Sequence, residues 1–263
     1  MNPGRFIVFL LCFFAVSAAS VSLAAGSTDA HFPSYYGMLL EFLGVDKVSD
    51  WVPTVGAFVT LLIVLVVGSL YKSSVQAAGE RLTPSGKISV MTIVDMLMDM
   101  VYGLAKDIIG EKGPRFFSLL AGLFVFILFS NLTGLVPGFL PATDSINTNL
   151  AMGLVVFIVY NFAGIKEHGA GYIKQFLGPV IFLMPLMLVI ELVQHLARPV
   201  SLSLRLYGNI FGDHLVLSVF TGLTYLVFPA LLLFMGLLVA CLQSFVFTLL
   251  TSIYISMAVS HDH

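Results

Sequence analysis

From Leu223 to Val259 the sequence carries no charged residue. This feature constrains the fold more than any other, because so long an apolar run cannot be left in water. A helical span needs about 20 predominantly apolar residues to cross about 30 Å of hydrocarbon. Three earlier stretches meet the same requirement: Trp51 to Leu70, Phe116 to Val136 and Asn149 to Ile165. Pro53 suits a helix start and Trp51 an interface. A fifth stretch, Pro179 to Leu217, is long and apolar but interrupted by Glu191, His195, Arg198, Arg205, Asp213 and His214. It and the final stretch are too long for one perpendicular crossing at about 1.5 Å rise per residue, so both are expected to tilt strongly.

Charge decides the class. Only 10% of the 263 residues are charged and 59% are hydrophobic, against about a quarter charged in soluble domains. The net charge of −2 leaves no basic footprint for nucleic acid. Cys12 and Cys241 lie in apolar runs without metal-ligand spacing and read as packed or lipid-facing thiols. Residues 88–109 differ from the spans. Asp95, Asp99 and Lys106 fall on one side of a helix, with Ile93, Val94, Leu97, Val101, Leu104 and Ile108 on the other. Such a helix is expected to lie along the membrane surface. The expected fold is an all-α membrane protein with five crossing helices, one amphipathic surface helix, and a long, tilted last pair.

Residues 1–25 carry a signal-like pattern: Arg5, an apolar run from Phe6 to Val16, then small residues through Ala25. Read instead as an uncleaved apolar segment, they still deliver residues 26–50 to the extracytoplasmic side, ahead of a membrane domain over 51–263. Basic residues orient that domain. Lys72, Arg81, Lys87, Lys106, Lys112 and Arg115 lie between the first two spans, and Lys166 and Lys174 follow the third. The Pro137 to Asn147 turn has none. The positive-inside rule places the basic groups in the cytoplasm, with the mature N-terminus outside and the C-terminus inside.

A charge at the bilayer centre costs about 2.5–3.5 kcal/mol even on the lenient insertion scale. Several in one helix therefore demand a function. At about 100° per residue, Glu191, Gln194, Arg198, Ser201, Arg205, Asn209 and Gly212 all project within about 40° of Arg205, as one polar face. Gly208 and Gly212 thin the helix so that another helix could approach. A guanidinium stays protonated in proteins, which makes Arg205 a fixed charge, suited to be a barrier or the partner of an anion. Asp213 lies about 80° round the helix and His214 about 180°, so a group that titrates near neutral pH stands behind the permanent charge. Gln243 opens a second polar line with Ser244, Thr248, Thr251, Ser252 and Tyr254. Most such hydroxyls bond back to their own helix, whereas a buried glutamine amide needs several partners.

"PVSLSLRLYGNIFGDHLVL" (residues 199–217), "LQSFVFTLLTSIYIS" (242–256) and "GEKGPRFFSLLAGLFVFILFSNLTGLVPG" (110–138) resemble the signatures of subunit a of F-type ATP synthases, in order along the chain. The resemblance implies a non-catalytic, proton-conducting stator subunit in a bacterial inner membrane. It would have no cofactor, metal or catalytic residue. Its partners would be a ring of c subunits, b-type peripheral stalk subunits and the lipid bilayer. Two aqueous half-channels would meet the ring on either side of Arg205, coupling proton flow to rotation and ATP synthesis. Arg205 matches the family's essential arginine, Asn209 and Gln243 the polar residues near it, and Glu191 a glutamate toward the cytoplasmic path. His214 stands where relatives carry an acid or a histidine. Gly236 stands where they hold its complement, which leaves room opposite His214 and puts Asp213 forward as a substitute.

Two other functions compete on residues alone. An anion transporter would use Arg205 as a substrate clamp, but such folds carry internal repeats, and none is found. An intramembrane metalloenzyme could use Glu191 and His195, one turn apart, but H-E-x-x-H is absent and no third ligand follows from spacing.

Overall fold

The computed structural model describes residues 35–42, 48–78, 90–136, 139–169, 184–223 and 227–259. The signal-like segment, Cys12, Lys87, Lys174 and the His261–His263 terminus lie outside them.

The described residues are helical: α1 Tyr35–Phe42, α2 Val48–Ala78, α3 Val90–Ile109, α4 Phe117–Gly134, α5 Ile146–His168, α6 Met184–Leu223 and α7 Val227–Val259. Short 3-10 turns occupy Gly110–Arg115 and Ala142–Asp144. Five of these helices contain apolar stretches long enough to cross a membrane: Trp51–Ser69, Phe117–Gly134, Ile146–His168, Leu186–Leu217 and Leu231–Val259. The third begins before Asn149 because Ile146 already has helical geometry after the extended Ser145. It ends at Gly169, whose φ of 57° takes it out of the helix while its N–H still bonds Ile165 O at 2.8 Å. At 40 residues, α6 is about 60 Å long, about twice the hydrocarbon thickness.

α7 is the hub, packing against α3, α4, α5 and α6. The core around it comprises Leu120, Leu123 and Ile127 of α4, Met152, Val156 and Tyr160 of α5, Leu202 and Leu206 of α6, and Phe247 and Ile255 of α7. Each of these is nearly or wholly buried. Ser244, Thr248, Thr251 and Ser252 are buried too, and each hydroxyl donates to the carbonyl four residues back, at 2.8–2.9 Å. These four hydroxyls of the second polar line are therefore self-satisfied packing, which lets α7 run through the centre without stranding them.

The bundle has two distinct ends. At one, Ser256 Oγ donates to Ile108 O at 2.8 Å, and Lys112 Nζ pairs with Glu167 Oε2 at 2.7 Å. The ends of α3, α5 and α7 thus meet on the side rich in basic residues. At the other, Tyr35 and Tyr36 meet the Phe139 ring, and Gly56 lies beneath Leu140 and Ala142. α3 turns Leu97, Val101 and Ala105 toward the core but leaves Ile93 exposed. Asp95 accepts from Tyr71 Oη at 2.5 Å, and that bond to a carboxylate pushes the Tyr71 phenol up to about 12. The bond ties the end of α2 to α3.

Candidate proton-path site

α6 divides lengthwise into a packed face and an open one. His195, Pro199, Leu202, Ser203, Leu206 and Ile210 are buried, at the spacing of one helical stripe. Gln194, Ser201, Arg205 and Asn209 are exposed, and Glu191, Arg198 and Gly212 partly so. The seven residues of the expected polar face all lie off the packed one.

The packed face closes on α5 at Gly153. A Cβ there would stand 2.6 Å from Ser203 Oγ and 2.7 Å from Pro199 O, so only glycine permits this approach. Pro199 also has no N–H to offer the carbonyl of His195, one turn back. Tyr160 Oη reaches that carbonyl at 3.5 Å. Asn161 Nδ2 donates to Phe157 O at 2.8 Å, which turns its Oδ1 toward His195 Nε2, also at 2.8 Å. His195 therefore carries a proton on Nε2. Its ring sits edge-on to Phe157 and Tyr160. A histidine one turn from Glu191 is thus engaged as a packing residue of the α5–α6 seam. Sequence spacing alone had allowed it to be a metal ligand.

The open face is unlike this. Among the described residues the ion pairs lie at the basic end of the bundle, where Lys112 and Arg115 meet Glu167; Arg205 makes none. A Cβ built on Gly208 or Gly212 meets nothing within 4 Å. The thin stretch of α6 beside Arg205 is therefore not used by any described helix of this chain. Arg198, about two turns below, places its guanidinium 5.8 Å from the Tyr254 ring centroid.

Next to Arg205, Asn209 Nδ2 donates to Gln243 Oε1 at 2.5 Å, joining α6 to α7. Gln243 is only 5% exposed, and its Nε2 has no partner among the described residues. This pair closes one end of a cavity of about 310 Å³ between α6, α7 and the end of α4. Asp213 and His214 line the cavity, as do Gly236 and Asn131, whereas Arg205 does not. The cavity includes Leu135 and Pro141, so it lies toward the end opposite Lys112 and Glu167. Along α6 it runs from Gly208 to Leu217 and takes in the titratable Asp213 and His214.

Gly236 is buried, yet it lines this cavity together with His214, so open space lies beside it. A Cβ there would lie 2.9 Å from Leu135 Cδ2, the free end of a flexible side chain. Asn131 was missed by reading the sequence. Its Oδ1 accepts from Thr143 at 2.8 Å, while Nδ2 is buried without a partner among the described residues. The signal available was Ser130-Asn131, a polar pair inside an otherwise apolar span.

The family described as ATP synthase A chain matches residues 54–256. The ATP synthase subunit a of Bdellovibrio bacteriovorus is 46% identical over 198 residues, covering 75% of this chain and 86% of that one. The ATP synthase subunit a of Geotalea uraniireducens is 39% identical over 233 residues, 88% of this chain and 97% of the other. The ATP synthase subunit a 2 of Syntrophotalea carbinolica is 47% identical over 182 residues, 69% and 76% of the two chains.

Proposed function

The chain belongs to the ATP synthase A chain family, as a proton-translocating membrane subunit of an F-type ATP synthase, and from that premise we propose how its residues conduct. α6 and α7 form two aqueous half-channels against a ring of c subunits, held apart by Arg205. The observation that carries this reading is the open face of α6. A permanently charged arginine stands there without an ion pair among the described residues, one turn from a cavity that Gly208 and Gly212 help to line. A buried or membrane-facing cation of that kind costs about 2.5–3.5 kcal/mol unless something compensates it. A carboxylate that arrives on a neighbouring helix and leaves again would do so.

On this reading the roles divide along α6. The cavity past Asn209 and Gln243 is the outer half-channel, where Asp213 and His214 pass protons inward and the uncommitted Gln243 amide bonds the incoming water or carboxyl. Glu191, with Gln194 and Arg198 beside it, lies on the cytoplasmic path. Arg205 pairs with the ring carboxylate once it loses its proton, and its unchanging charge repels protons that would pass straight between the half-channels. Each charge crossing about 100 mV is worth about 2.3 kcal/mol, which drives the ring. The subunit performs no ATP chemistry; it couples, together with the c ring and b-type stalk subunits.

Orientation follows from the basic end of the bundle being cytoplasmic. A cysteine at Glu111 should then label only from the cytoplasm and one at Ile146 only from outside; the reverse pattern exchanges the two half-channels. The central test is Arg205→Ala in the reconstituted complex. ATP-driven proton pumping should be abolished with the complex still assembled, and normal pumping would eliminate the mechanism.

A further inference from the structure

A second cavity, of about 440 Å³, lies at the basic end of the bundle and shares no residue with the first. Its wall is apolar: Phe116 at the start of α4, with Val159 and Phe162 of α5. Its rim carries Arg115, Lys166 and Glu167. Among the described residues, the ion pairs there leave the cations in excess. Lys112 takes Glu167 Oε2 at 2.7 Å, while Arg115 reaches Glu167 Oε1 only at 3.9 Å with its side chain 74% exposed. Lys166 is exposed and has no ion pair among the described residues. One carboxylate thus faces three basic groups, and two of them are available above an apolar slot.

The slot also opens sideways. Ile158, Phe162 and Ile165 form an exposed apolar stripe on α5, and Phe162, 68% exposed, belongs to both the stripe and the cavity. A stripe like this on a membrane-crossing helix faces acyl chains, and Lys166 sits at the end of the same apolar span. The occupant must therefore present an anion at the membrane interface and an apolar chain below it.

We infer that this cavity binds an anionic phospholipid from the adjoining leaflet. The headgroup phosphate is held between Arg115 and Lys166, and an acyl chain lies along Phe116, Val159 and Phe162. An arginine fork matches phosphate geometry, and basic pockets between membrane helices hold anionic headgroups by the same electrostatics. Free phosphate would leave the apolar wall unused, and a zwitterionic lipid would bring its own cation to a rim already in positive excess. The site is independent of the proton path, because it uses none of those residues.

The test uses the whole complex, with the photoreactive residue p-benzoylphenylalanine in place of Phe162. The complex is reconstituted in vesicles of equal parts phosphatidylcholine and phosphatidylglycerol, with a radioactive tracer of one or the other. Phosphatidylglycerol should be labelled about thirtyfold more than phosphatidylcholine, the scale expected from two basic groups near a membrane surface. The preference should fall to near parity in the Arg115→Gln, Lys166→Gln double variant and persist in Arg115→Lys, Lys166→Arg. Equal labelling of the two lipids without those substitutions overturns the site, whatever the variants do. So does a preference that inorganic phosphate removes, which would mark a free-anion site. Pumping is not the readout, so failure here is distinguishable from failure of the half-channel reading.

Discussion

The two faces of α6 both carry polar groups and leave them in opposite states. On the packed face, His195 bonds Asn161, Ser203 Oγ lies 2.7 Å from Pro199 O and 2.9 Å from Asn149 O, and Tyr160 covers the carbonyl that Pro199 leaves free. On the open face, Gln194, Ser201 and Arg205 are exposed, and two glycines look onto empty space. A polar group in a membrane persists either because its neighbours satisfy it or because something outside the chain does. The packed face is the first case, and on the proposed function Arg205 on the open face is the second. Polarity in a span therefore identifies a functional surface only once its partners have been counted.

The largest expected effect tests the fixed charge of the open face. Arg205→Lys should reduce coupled transport by about a hundredfold or more, nearly as far as removing the charge, because an ammonium can deprotonate and a guanidinium cannot. Pumping by reconstituted complexes at near-parental rate would mean that any cation serves, and the open face would be a simple electrostatic patch.

One chemical change made on both faces sharpens the contrast. Gly153→Ala must push α5 off Pro199 and Ser203, and overpacking of that kind costs about 1–3 kcal/mol. A fall in the thermal stability of the purified complex, or in its yield, should report it. Gly208→Ala meets nothing within 4 Å among the described residues, so stability should change by no more than about 0.5 kcal/mol, while rotation-coupled pumping slows because the ring side is crowded. Equal stability losses at the two sites would erase the distinction between the faces.

His214 lies between them, at the cavity. His214→Ala should slow proton flux several-fold with assembly intact, and Asp213→Asn added to it should contribute less than additively, as for groups sharing one relay. Flux measured from about pH 5.5 to 8.5, the range where histidine titrates, checks this; parental behaviour throughout would make His214 a packing residue.

The smallest effect belongs to Tyr160→Phe. It removes long contacts at 3.5 Å to the carbonyl and ring of His195, and buried membrane hydrogen bonds average about 0.6 kcal/mol. A slight loss of thermal stability with unchanged pumping is expected. A large loss of pumping would move Tyr160 from the seam to the proton path.

Much of this was legible in the sequence because it depends on period and composition. Apolar length gave the five spans, since hydrocarbon thickness sets a minimum run. Helical angle gave the alignment of Glu191, Gln194, Arg198, Ser201, Arg205 and Asn209, since those positions share a face in any α-helix. Partner geometry was not legible. Nothing in the residue string says that His195 is spent on Asn161, that Asn131 borders the same cavity as His214, or that Leu135 stands beside Gly236 there. Each of these depends on which helix lies opposite and at what rotation, and α7 decides that by packing at the centre with its own hydroxyls satisfied. The sequence by itself determined that the chain crosses a membrane and where its costly charges stand, because burying a charge is penalised wherever the fold puts it. Only the tertiary structure decided which of those polar groups were already partnered, because satisfaction requires another atom at bonding distance.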